Sequence, residues 1–115
     1  TIDRIIDVFP PFQQQQVRVQ LATVLESVIS QQLIPKENGK GRIAAFEVMH
    51  ATNAVKNLIR ESKTYQITSV LQTSKKIGMQ TMDDHLFELC TKREISVDEA
   101  LIFAQDRVAL ERRLF

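Results

Sequence analysis

Glu37-Asn38-Gly39-Lys40-Gly41 is the feature that most restricts how this chain can fold. It separates Leu33-Ile34-Pro35-Lys36 from Arg42-Ile43-Ala44-Ala45-Phe46-Glu47-Val48-Met49, two segments that can run as strands. Asn-Gly between such segments predicts a β-hairpin, because both residues tolerate positive φ. Pro35 lacks an amide hydrogen and pushes the first strand toward a sheet edge. A lone hairpin is marginal in water, so this one must pack on helices or join a further sheet.

The flanking segments read as helices. Ile2, Ile5, Ile6 and Phe9 fall at i, i+3, i+4 and i+7, an apolar stripe that Thr1 can cap. Pro10-Pro11 ends that helix and can open the next. In the second helix Val17, Leu21, Val24, Leu25, Val28 and Ile29 form the apolar face, and Gln13–Gln16 form a solvated first turn. After Met49 the pattern is helical throughout. Thr52 or Asn53 caps a helix with Val55, Leu58 and Ile59 inward. Thr64 caps another with Ile67, Val70 and Leu71 inward, and Gly78 stops it. Thr81-Met-Asp-Asp84 and Ser96-Val-Asp-Glu99 read as capping boxes, and Asp106 caps a last helix carrying Val108 and Leu110. The expected fold is mainly α with one β-hairpin and six or seven helices.

The 115 residues suffice for one domain with a real core, and no apolar run approaches the ~20 residues of a membrane span. The single cysteine, Cys90, cannot form an internal disulfide and points to a reducing, cytoplasmic setting. The chain lacks an initiator methionine, which is expected of a processed product or a piece of something longer. The net charge of +1 predicts neither nucleic acid nor membrane as a partner. Its distribution is uneven: residues 51–76 hold five basic groups against Glu61 alone, whereas residues 77–115 hold five against eight acidic ones. That pattern fits oriented contacts or two solvated faces of opposite sign.

No self-sufficient catalytic constellation is present. A phosphate loop needs G-x-x-x-x-G-K-[ST], but Ile34 stands where its first glycine belongs and Gly41 replaces the hydroxyl residue after Lys40. His50 and His85 are far apart and lack metal-ligand spacing. His85 and Cys90 are about 140° apart around a helix and cannot act as base and nucleophile. Cys90 falls on the Met82, Leu86, Leu89 face and reads as a core residue, and Asp83-Asp84 suits the helix dipole. One polar stripe stands out: Asn53, Lys56, Arg60 and Lys63 at i, i+3, i+7 and i+10, a pattern that also describes ordinary solvated helix surface.

Ala54-Val55-Lys56-Asn57-Leu58-Ile59-Arg60-Glu61 resembles the AIRNLIRE motif of the type IV pilus retraction ATPases, the twitching-motility family. Thr1-Ile-Asp-Arg-Ile-Ile-Asp-Val-Phe-Pro-Pro11 resembles the segment that follows that family's histidine box. Gln13–Leu21, Val28–Leu33, Gly41-Arg42 and Gly78–Asp83 match as well, so the likeness is collinear over nearly the whole chain. Val55 replaces an isoleucine and Lys56 an arginine; the second exchange matters where arginine makes a bidentate contact.

The resemblance implies the last part of a RecA-like α/β motor domain, 1–50, followed by an appended helical bundle, 51–115, that carries the motif. The full protein would be a hexameric ATPase using ATP and Mg²⁺ at the cytoplasmic face of the inner membrane. Its Walker A, Walker B and histidine boxes would precede Thr1, leaving no cofactor site in this stretch. Residues 54–61 would serve partner binding, toward neighbouring subunits and the membrane platform protein. Alternatives are a pilus-assembly or type II secretion ATPase, or a free-standing helical adaptor docking an acidic partner. Without the missing sheet, Leu33-Ile34 and Ile43–Phe46 are expected at an unpaired edge. Leu58→Ala is expected to cost about 2–5 kcal/mol, and Lys56→Ala and Arg60→Ala about 0.5 kcal/mol or less.

Overall fold

A computed structural model describes residues 2–115; the cap assigned to Thr1 lies outside them. The order is α1 (Ile2–Asp7), α2 (Pro11–Val24), β1 (Ser27–Pro35), β2 (Arg42–His50), α3 (Asn53–Arg60), α4 (Ile67–Thr73), α5 (Met82–Thr91), α6 (Val97–Phe103) and α7 (Arg107–Leu114). Single 3-10 turns, Thr64–Gln66 and Lys75–Ile77, flank α4. The strands pair antiparallel from Ser27↔His50 to Pro35↔Arg42. The mainly helical chain with one hairpin matches the expectation.

Several local readings change. Val28 and Ile29 belong to β1, not to α2. α2 closes with the Leu25 N–H donating to the Leu21 carbonyl at 2.9 Å, and Leu25 itself is extended. Val28 and Ile29 are β-branched and gain cross-strand partners in Met49 and Val48, which outweighs their helical spacing. The hairpin loop is six residues, not a two-residue turn. The Gly39 N–H donates to the Lys36 carbonyl at 3.0 Å, and the Asn38 side-chain oxygen takes the Lys40 N–H at 2.8 Å. Positive φ falls on Gly39 and Gly41 and not on Asn38. Thr64 caps nothing; its hydroxyl donates to both carboxylate oxygens of Asp3 at 3.0 Å, tying α4's approach to α1. Gly78, at φ +86°, ends the 3-10 turn after α4 rather than α4 itself. The caps at Thr52, Thr81, Ser96 and Asp106 form as read.

The hairpin is shared by two apolar clusters. Met49 joins Ile2, Ile6, Ala22, Val55, Ile59, Leu71 and Met79 on one side. Ile34 and Ala45 join the side chains of α5, α6 and α7, among them Leu86, Leu101, Leu110 and Cys90. Burial pushes the Cys90 thiol up, with the Glu37 carboxylate adding to it, so the thiol is unreactive core.

The outer edge of β2 is closed. Val48 and Gln80 exchange two backbone hydrogen bonds at 3.0 Å, and the Gln80 amide donates to the Phe46 carbonyl at 2.7 Å. The Phe46 N–H donates to His85 Nδ1 at 2.8 Å, which fixes that ring nitrogen as an acceptor. Ladder alternation then turns the backbone groups of Ile29, Gln31 and Leu33 outward on β1, where no further strand pairs among the described residues. The open edge is therefore Ile29-Gln31-Leu33, and not Ile43–Phe46; Ile34 is fully buried.

α3 and α5 both end in a Schellman turn with a non-glycine residue at left-handed φ. The Lys63 N–H reaches the Leu58 carbonyl past Ser62 (φ 61°), and the Glu94 N–H reaches the Leu89 carbonyl past Arg93 (φ 59°). A Cβ in that region costs about 1–2 kcal/mol, partly offset by glycine's unfolded entropy. Ser62→Gly and Arg93→Gly are therefore each expected to stabilise the chain by about 0.5–1 kcal/mol in thermal melts.

The open β1 edge carries no charged residue from Ser27 to Pro35, so nothing opposes pairing with a second copy. Dimers or larger assemblies are expected by light scattering at high concentration. Gln31→Lys is expected to return the monomer, and a clean 13 kDa species of the unaltered chain at those concentrations would refute the pairing.

Candidate functional site

The motif residues 54–61 coincide with α3 and its C-cap. Thr52 starts the helix by accepting the Val55 N–H at 3.4 Å, and Glu61 ends it. The helical period places Val55 and Ile59, both fully buried, against α1, α2 and α4. Leu58 is only half-buried, so it is a boundary residue rather than core. The apolar face is narrower than its spacing implied: only Val55 and Ile59, four residues apart, point into the cluster.

The polar stripe is real but not freely projecting. Asn53 and Lys63 are exposed, whereas Lys56 and Arg60 are half-buried. Arg60 Nη1 donates to Asn57 Oδ1 at 2.6 Å one turn back, which orients the guanidinium along the helix. Lys63 lies 3.6 Å from Glu61. At these exposed positions such contacts set direction more than stability. The Arg60 carbonyl accepts the Gln15 side-chain N–H at 3.0 Å, so α2 anchors the end of the motif helix. The four-glutamine run is thus not only a solvated turn. Gln15 had no distinguishing sequence signal, since its partner is a backbone atom 45 residues away.

Asp83 and Asp84 also do more than face a helix dipole. Asp83 accepts the backbone N–H groups of Gln105 and Asp106 at 2.8 and 2.9 Å, bracketing the turn between α6 and α7. Asp84 takes Arg113 at 2.9 Å and has Lys75 at 3.8 Å. Burial by itself raises the Asp84 carboxyl, but hydrogen bonds from Arg113 and Thr81 and the nearby Lys75 outweigh it and bring the group below its usual range. His50 stays at the surface with Nδ1 3.0 Å from the Ser27 hydroxyl. Among the described residues no group of His, Cys, Asp and Glu is arranged to hold a metal, and no helix is long and apolar enough to cross a membrane.

No family model matches the chain. Individual relatives do. A twitching motility protein of Neisseria gonorrhoeae is 47% identical over 106 residues, which is 92% of this chain and 28% of that protein. The type IV pilus retraction ATPase PilT of Pseudomonas aeruginosa is 50% identical over 100 residues, 87% of this chain and 29% of that protein. The crystal structure of the pilus retraction motor PilT with bound ADP superposes on 96% of this chain with a TM-score of 0.83 and 40% identity.

The chain belongs to the pilus retraction ATPase family. It spans less than a third of the length of these PilT-type relatives. The Legionella pneumophila ATPase DotB shares the fold at a TM-score of 0.66 and 17% identity over 88% of this chain. The likeness to that pilus retraction motor therefore extends over nearly the whole chain.

The burial of α3 separates two kinds of substitution. Ile59→Ala is expected to cost about 2–5 kcal/mol by cavity formation, and the half-buried Leu58→Ala less than that. Arg60→Ala removes one exposed side-chain contact and some aliphatic packing, an expected loss of about 1 kcal/mol or less. Chemical denaturation of the three variants ranks them; if Arg60→Ala unfolds the chain, the stripe is structural.

Proposed function

We propose that this chain is the C-terminal part of a hexameric ATPase that retracts type IV pili, and that it transmits force without hydrolysing ATP. The observation that carries this reading is the superposition of 96% of the chain on a pilus retraction motor. The absence from the sequence of a G-x-x-x-x-G-K-[ST] loop supports placing ATP and Mg²⁺ elsewhere in the whole protein. Residues 1–50 are proposed as the tail of the RecA-like domain, with β1 continuing its sheet through the open Ile29-Gln31-Leu33 edge. Residues 51–115 are proposed as the appended bundle, and apolar packing joins the two parts at Met49 and Val55.

Within the bundle, α3 is the partner-binding element. Ala54, Val55, Asn57, Leu58 and Ile59 build and seat the helix, Lys56 and Arg60 supply charge toward an acidic surface, and Glu61 closes it. The two closed ends, Thr52 and the Ser62 turn, make α3 a rigid lever, and Gln15 ties it to α2. A rigid helix held by the motor domain moves with it, which is how ATP-driven rotation would reach a neighbouring subunit or the platform protein at the inner membrane.

In the full-length protein, Lys56→Ala and Arg60→Ala are expected to abolish or strongly impair retraction while leaving nucleotide affinity nearly unchanged. Pilus retraction assays and ATP titrations on the same preparations test this. Retraction surviving both changes overturns the role of α3. A calorimetric titration of the 115-residue chain with Mg-ATP is expected to show no binding; micromolar affinity would overturn the division of labour.

A further inference from the structure

α7 is held by one buried side chain and by a set of polar contacts at its two ends. Its one fully buried side chain is Leu110, which enters the seam between α5 and α6, with Leu114 half-buried at the rim. Val108 is 59% exposed. Its attachment is otherwise electrostatic. Asp83 grips the Gln105 and Asp106 amides, and Asp106 caps the helix through the Ala109 N–H at 3.2 Å. Arg113 then reaches back to α5, donating to Asp84 Oδ1 at 2.9 Å while its guanidinium carbon lies 4.3 Å from the centre of the Phe87 ring. Phe87 and Asp84 are three residues apart on α5, so one arginine is pinned by both.

The Asp84 side chain is itself 15% exposed, so solvent already reaches the pair. Clefts of about 430 and 290 Å³ flank the Asp84–Arg113 contact on its two sides, giving water and ions access to it. Arg113 is 40% exposed and Lys75 60% exposed, so dissolved ions screen both cations on Asp84.

We propose that α7 is a detachable strap over the α5–α6 seam, latched by Arg113 on Asp84 and Phe87 and released when ions compete for that arginine. Release leaves the rest of the fold in place, because the hairpin, α5 and α6 keep Ile34, Ala45, Leu86, Ile95 and Leu101 packed together. It uncovers the apolar seam that Leu110 fills.

Hydrogen exchange by mass spectrometry on the 115-residue chain tests the strap. Between low salt and about 1 M NaCl, α7 amides are expected to exchange about two- to fivefold faster, the range that an ion pair of this exposure supplies, with α5 and β2 unchanged. Asp84→Asn is expected to give the same acceleration at low salt and to remove most of the salt response. Arg113→Gln is expected to match it, and it leaves the α5 cap untouched should Asp84→Asn fold poorly. Phe87→Leu is expected to give a smaller acceleration of the same segment. Equal protection of α7 and α5 in all conditions overturns the proposal. So does an Arg113→Gln chain in which α7 is unchanged, or one in which α5 and β2 accelerate with it.

Discussion

The structure depends on the way β2 is used on both edges. One edge carries the ladder to β1. The other is closed by Gln80, which exchanges backbone bonds with Val48 and sends its side chain to Phe46, and by His85, which takes the Phe46 N–H. A two-stranded hairpin is too small to stand alone. Here the helical chain supplies what a third strand would, at the point where α5 begins. Met82, the first residue of α5, donates its N–H to Glu47 of β2 at 3.2 Å, so the start of the helix is fastened to the strand.

From that junction the two apolar clusters follow. Met49 lies at one end of β2 and belongs to the cluster of α1, α2, α3 and α4. Ala45 lies four residues earlier and belongs, with Ile34 across the ladder, to the cluster of α5, α6 and α7. The molecule is accordingly long, 49 Å by 28 Å by 24 Å. α3 sits on the first cluster and α7 on the second, toward opposite ends of the hairpin.

The two helices differ in how they are fixed. α3 is held by fully buried Val55 and Ile59, by a cap at each end and by Gln15 from α2. Loss of any one contact leaves the others. α7 has a single fully buried anchor, Leu110, and a partly exposed ion pair from Arg113 to Asp84. The two helices thus differ in the ratio of buried apolar area to exposed charge that holds them.

Much was legible along the sequence because it is local. The caps at Thr52, Thr81, Ser96 and Asp106, the diproline corner and the apolar spacing of α3, α5 and α6 are written within four residues of themselves. The family was legible through the resemblance of residues 54–61 and of the segments around them. Val28 and Ile29 were not, since their spacing fits a helix and only pairing with Met49 and Val48 turns them into strand. Thr64 reads as a cap until Asp3, 61 residues away, takes its hydroxyl. Sequence by itself thus determined the helices, the starts of α3, α5, α6 and α7 and the presence of one hairpin, because those rest on backbone preferences and near-neighbour hydrogen bonds. Tertiary structure alone decided the length of β1, the closing of β2 by Gln80 and His85, the tether from Gln15 and the second role of Asp83 and Asp84. These pairings span from 19 residues, Ile29 with Val48, to 45, Gln15 with Arg60, and no local preference records where such partners meet.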